Sequence, residues 1–250
     1  MARLLQAGRA IIGGTLVEAE RLAGEALDIG RGGGQAEATW AYAMHLFLIR
    51  VEQGRVDEDV AAELGRVADE IRGAGSRFPL AEASGALASL DIGRTHGAKE
   101  TLTRIADASA RPDYYSMLVD SMLAKLATRL KESAYCDLLY ERLRPFSHWV
   151  VPHSAFPAPS VSFHLGLLAR VLERYDTADT HFAEAVADHE RIGAPAFLAR
   201  TRLEWAKMLL SRGGTGDDER AHVLVDDAAT VAHKLGLTGV EREAAALLGR

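Results

Sequence analysis

The sequence predicts an all-α protein, folded as an α-α superhelix of about six helical hairpins. Composition is the first reason. Ala fills 43 of 250 positions, Pro only seven, and aromatic residues only 6%. Ala and Leu lose little side-chain freedom in a helix, whereas the β-branched and aromatic residues that favour strands are scarce. The second reason is that a marker position, small in all units but the second, where Asp59 occupies it, recurs 38 to 43 positions apart just after turn-like breaks. The third is that apolar residues follow each of these small ones at helical spacing, on one face.

The clearest unit lies near the C-terminus. Residues 158–173 form one apolar-periodic helix, Arg174-Tyr175-Asp176 a corner, and the following stretch a second helix. Ala178 falls twelve residues after Gly166, Phe182 sixteen and Ala185 nineteen. Gly166 and Ala178 let two helix axes approach, Phe182 fills the space above, and Ala185 admits the next hairpin. This spacing resembles the tetratricopeptide (TPR) pattern.

Taken in order, the markers are Ala19 after Gly13-Gly14, Asp59 after Gly54-Arg55, Ala98 after Gly93 and Gly97, then Cys136, Ala178 and Ala221. All but Asp59 are followed by apolar residues on the same face: Ala23 and Ala26, Leu102 and Ile105, Tyr140 and Leu143, Phe182 and Ala185, Val225 and Ala228. The repeat exceeds the 34 residues of a standard TPR, so helices or turns are longer. Gly30 with Gly32-Gly33-Gly34 breaks the chain between the first two units, and Pro79 and Pro112 sit near helix starts, where a missing N–H costs little. Residues 144–160 hold four of the seven prolines and read as an irregular crossing inside one domain spanning 1–250. Residues 211–220 lengthen the last corner, where Asp217 or Asp218 could cap the next helix.

Residues 193–237, with Leu198-Ala199-Arg200-Thr201-Arg202-Leu203, Gly213-Gly214-x-Gly216-Asp217 and Ala232-x-x-Leu235-Gly236-Leu237, resemble the C-terminal helical arrays of large bacterial signalling proteins. Residues 43–55 and 164–169 resemble other units of the same arrays. In those proteins a STAND-type NTPase module precedes the array, and a LuxR-type helix-turn-helix or class III nucleotide cyclase domain occupies a terminus. The resemblance implies a TPR-like sensor or partner-binding region in cytoplasmic signal transduction and transcriptional regulation. Its partners would be a protein or peptide and adjoining NTPase, cyclase or helix-turn-helix domains. The chain departs from the pattern in having no G-x-x-x-x-G-K-[ST] cradle, no cyclase metal module and no basic recognition helix. It reads either as one segment of a longer protein or as a solo array.

Function classes narrow further. A net charge of −6 argues against direct nucleic-acid binding, which needs a basic surplus. Neither an apolar run of about 18 residues nor a signal peptide points to a membrane. One cysteine excludes an internal disulfide framework, and Cys136 at a helix crossing reads as a buried, inert thiol. The glycines at 30–34 follow a helix instead of a strand, so they read as a terminating loop and not a phosphate cradle. His181, Glu184, Asp188 and His189 share a helix region but lack H-E-x-x-H, and read as surface decoration instead of metal ligands. Ser147 and Ser154 with His148 and His153 invite a hydrolase reading, yet no G-x-S-x-G elbow supports it. The chain reads as a non-enzyme without cofactor.

The remaining candidate is the concave wall, lined by the first helix of each hairpin. The inward positions are Met44, Leu48, Leu87, Lys125, Arg129, Phe163, Leu167 and Arg170. This wall is apolar early and basic later, suited to a peptide or helix with an acidic flank. An alternative is a small-molecule or peptide-signal pocket closed by 144–160, with Trp149, Phe156 and Phe163 on its walls. Trp40, Tyr42, Phe47 and Trp205 read as core.

Overall fold

A computed structural model describes residues 1–35, 37–73, 78–108, 114–150 and 156–249. Among them are thirteen α-helices, 81% of the described residues being helical, with no strand beyond one isolated bridge between Val150 and Ser160. Six hairpins are followed by one last helix. The pairs are α1 (Ala2–Ile12) with α2 (Leu16–Gly32), α3 (Ala38–Glu52) with α4 (Glu58–Gly73), and α5 (Pro79–Asp91) with α6 (Ala98–Ala108). After them come α7 (Tyr114–Leu130) with α8 (Ser133–Leu143), α9 (Val161–Val171) with α10 (Tyr175–Arg191), and α11 (Pro195–Arg212) with α12 (Asp217–Leu235). The last helix is α13 (Thr238–Leu247). Among the described residues no helix is long and apolar enough to cross a membrane.

The helix crossings follow from side-chain size. Ala19, Ala98, Cys136, Ala178 and Ala221 are all buried on second helices, as are Phe182 and Ala185. A Cβ added to Gly166 would lie 2.9 Å from ring atoms of Phe182, so the ring occupies the space the glycine leaves. The second unit departs from its expected marker: Asp59 is exposed and Ala61, two residues later, is buried. A carboxylate at a crossing would lose its hydration without a partner, so the register moves to the next small residue. Gly30 also differs from its expected role. It lies inside α2 against Ala38, and the helix ends at Gly32, capped by Gly33, with Gly34 at φ 67.

The corner of the fifth hairpin sits slightly earlier than expected, at residues 172–174, with Glu173 at φ 57. At the last corner Asp217 is the first residue of α12 and not its cap. Its carboxylate accepts the Gly214 N–H at 2.9 Å and pairs with Arg212 through both oxygens at 2.7 Å. These bonds, the Arg212 guanidinium foremost, lower its pKa to about 2. Pro79 opens α5, where its missing N–H is one of the free donors of a first turn. Pro112 lies outside the described residues. Across the irregular segment α7 and α8 both pack on α9, so the stack runs through the Pro-rich stretch.

The two ends of the array meet. α1 touches α11, and α3 touches α13. At this seam the Thr238 hydroxyl donates to the Gln53 carbonyl at 2.5 Å, Arg242 donates to the Gly54 carbonyl, and Leu235 sits on Gly14. Backbone packs on backbone there. A Cβ on Gly239 would stand 2.8 Å from the Gly54 nitrogen. Six hairpins therefore complete a turn and close on themselves around an inner cavity.

Candidate functional site: the inner cavity

The cavity has a volume of about 620 Å³. Its helical lining comes from α1, α3, α5, α7, α9, α11 and α13, and none of it from the second helix of a hairpin. This is what stacking hairpins demands: the first helices face the axis and the second helices form the outer layer. Pro157 and Pro159 of the irregular segment contribute part of the wall.

Seven of the eight inward positions read from the sequence line this one cavity. They are Leu48, Leu87, Lys125, Arg129, Phe163, Leu167 and Arg170. Met44 does not. It is fully buried, because α3 carries neighbours on several sides, namely α1, α2, α4, α5 and α13, and the closing helix covers more of it than an open array would. Of the residues proposed for an enclosed pocket, Phe163 lines the wall. Phe156 is buried between Trp40 and His45 instead, and Trp149 is 44% exposed with its indole donating to His148 at 2.8 Å.

The wall is apolar at Phe47, Leu48, Leu87, Phe163, Leu167 and Phe197. Its charges form pairs that stitch neighbouring first helices together. Asp91 of α5 pairs with Arg129 of α7, and Arg170 of α9 with Glu204 of α11 at 2.9 Å. Glu243 of α13 meets Lys207 at 2.5 Å and Arg200 at 2.6 Å, and Arg200 also reaches Glu52 of α3 at 3.4 Å across the seam. Burial pushes the Glu204 carboxyl up, but Lys207 and Arg170 outweigh it and hold the acid below its ordinary value. Asp91 goes the other way, raised by burial despite Arg129.

Lys125 stands apart. It makes no ion pair and no side-chain hydrogen bond with any described residue. Burial lowers its pKa, against the more distant pull of Glu52, Asp91 and Glu204.

The carboxylates Glu52, Asp91, Glu204 and Glu243 were missed in the sequence. Glu52 and Asp91 lie one helical turn beyond Leu48 and Leu87, so the same i+4 step reaches them. Extending the register into α11 and α13 reaches the rest.

The other candidate sites resolve differently. His181 and His189 are buried ties and not surface decoration. The Tyr140 hydroxyl and His181 Nε2 are 3.0 Å apart, and His181 Nδ1 lies 3.1 Å from Glu184. His189 Nε2 accepts the Ser160 N–H at 2.9 Å, which places its proton on Nδ1, donating to the Thr201 hydroxyl at 3.0 Å. Thr201 in turn donates to the Phe197 carbonyl at 2.8 Å. One imidazole thus joins α10 to the start of α9 and to α11. Among the described residues no cluster of three His, Cys, Asp or Glu is placed to hold a metal.

Ser147 contributes its carbonyl to the Ser162 hydroxyl, and no hydrogen bond from its own hydroxyl to a histidine occurs among the described residues; Ser154 and His153 lie outside them. Cys136 is fully buried, with burial pushing its thiol up to about 12. In comparisons with known proteins, no family model, curated protein or solved structure matches the chain.

Proposed function

We propose that this protein is a non-enzymatic, TPR-like regulatory module that acts by binding a partner or signal in its inner cavity. In this reading it belongs to, or works beside, a cytoplasmic bacterial transcriptional regulator or signalling NTPase. An occupant of the cavity touches several first helices at once, so it biases how the hairpins stack and how a neighbouring module packs on them.

One observation carries the reading: a single cavity gathers apolar and charged side chains from across the whole array. A wall assembled from residues as far apart in the chain as Ile11 and Glu243 reports the conformation of the entire chain. The volume of about 620 Å³ lies within the ordinary range of small-molecule sites, which favours a sensing role over a broad protein–protein groove.

The test is retention of identified partners and ligands by the wild-type chain and by Leu48→Asp. Leu48 is only partly buried, so the substitution changes the wall without emptying the core. Loss of the bound species in the variant is the expected result. Retention of the same species would place binding on the outer helices and overturn the reading.

A further inference from the structure

We propose that the inner cavity is a site for a small amphipathic monoanion, its carboxylate seated on Lys125 and its hydrocarbon body against Leu48, Leu87, Phe163 and Leu167. The inference rests on the reading of the cavity as a binding site and adds the chemistry of the occupant.

Charge balance is the first argument. Among the described residues the cavity is lined by six cations, Lys125, Arg129, Lys131, Arg170, Arg200 and Lys207, against four carboxylates. Four of those cations are committed to carboxylates, as described above. Lys131 stands exposed in the α7–α8 corner, where water serves it. That leaves one partly buried ammonium, Lys125, without a partner among the described residues. A buried or half-buried charge is costly unless it is paired, and a carboxylate supplies the missing partner in a charge-assisted hydrogen bond. More than one added negative charge would meet Glu52, Asp91 and Glu204, which already surround Lys125.

The second argument concerns what the wall lacks. The chain contains no Asn, and among the described residues the only uncharged polar side chain lining the cavity is that of Thr128. Thr128 spends its hydroxyl proton on the Lys125 carbonyl at 3.0 Å. An extended peptide placed here would bury N–H and C=O groups with nothing to pair them. A helix, 10–12 Å wide with its side chains, would fill the volume in about four to five residues, too few to hold its own bonds. A hydrocarbon body has no such groups to satisfy.

The experiment uses the full chain, with decanoate below its micellar concentration as the probe and 1-decanol as its uncharged counterpart, read by isothermal titration calorimetry. Decanoate is expected to bind more tightly than decanol. Lys125→Met keeps the aliphatic stem and removes the charge. It should weaken decanoate about ten-fold or more and leave decanol within about two-fold. In labelled protein the Lys125 Nζ signal should titrate at higher pH with decanoate bound than without. Equal affinity for the two probes, absence of decanoate binding, or an unchanged decanoate affinity in Lys125→Met would each overturn the proposal. The last outcome is separable from failure of the binding reading: if Leu48→Asp abolishes decanoate binding while Lys125→Met does not, the cavity is still the site and only the anion's seat is wrong. Should the variant misfold, the pH titration of Lys125 in the wild-type chain decides alone.

Discussion

His164 and His189 are both buried imidazoles, and they should respond oppositely to the same substitution. Among the described residues neither ring nitrogen of His164 has a hydrogen-bond partner, whereas both of those of His189 do. Replacing His164 by Leu removes two unsatisfied polar atoms at similar volume, so urea unfolding at pH 7.5 should show a gain of about 1–3 kcal/mol. His189→Leu orphans the Ser160 N–H and should cost about as much. A destabilised His164→Leu would show that the imidazole is satisfied after all. Acid should act on the same two residues. Burial lowers the His189 pKa from 6.5 to about 4, and lowers that of His164 in the same direction, Lys125 adding to the effect. The unfolded chain therefore binds protons that the folded chain refuses. The stability these groups contribute is complete above about pH 6.5 and is lost as pH falls towards 4, by about 3 kcal/mol from His189 alone. Denaturant midpoints between pH 7.5 and 4.5 measure this, and a flat profile would refute it. None of this was legible in the sequence, where four polar residues on α10 look like a solvated face. Their burial depends on Ser160 and Thr201, which other elements bring in.

At the scale of the helix, the informative residues are those whose size permits a crossing. Gly166, Ala178, Phe182 and Ala185 were legible because their spacing is a local property of one hairpin, and the packing of Phe182 over Gly166 follows that spacing. Two identical substitutions separate packing from propensity. Gly166→Ala would drive a methyl into the Phe182 ring and should cost about 1–3 kcal/mol. Gly24→Ala, within α2 and with no neighbour inside 4 Å of the added carbon, should stabilise the chain by about 0.5–1 kcal/mol. Thermal unfolding of both variants checks the pair, and a loss at both positions would mean that helix propensity is not what limits α2. The marker in the second hairpin was misread for a related reason. Asp59 has the right spacing, but position alone does not reveal that its carboxylate stays hydrated while Ala61 turns inward. The inner wall was largely readable because the first helices keep a regular inward face. Met44 was the exception, since its burial depends on helices far away in the chain.

The closure of the array belongs to the whole molecule, and sequence spacing carries no trace of it. Gly54 reads as an ordinary corner glycine, and its φ of 59 justifies that reading, yet its second role is to let Gly239 approach. The contact joins segments 185 residues apart and depends on the summed twist of six hairpins, which no local pattern encodes. It has a mechanical consequence. Stacked repeats hold together through nearest-neighbour interfaces, so an open array can flex along its length, while a closed one must break a seam to do so. The seam here is narrow: two glycines, the Thr238 and Arg242 bonds to the corner carbonyls, the Arg200–Glu52 pair, Leu235 on Gly14 and the contact of α1 with α11. Gly239→Val would set a branched side chain against the Gly54 backbone, which has no rotamer with which to yield. The hairpins themselves do not depend on this contact, so far-UV circular dichroism should remain unchanged. The radius of gyration, about 18 Å for a compact chain of this length, should be larger in the variant than in the wild type by small-angle scattering. Glu52, Gly54 and Glu243 also line the cavity, so opening the seam should weaken whatever the cavity binds, without any change in its apolar wall. An unchanged radius with unchanged binding would mean that the ends merely touch. A larger radius with weaker binding would show that closure and occupancy are coupled, with the occupant stabilising the closed array by the same free energy by which closure strengthens its binding.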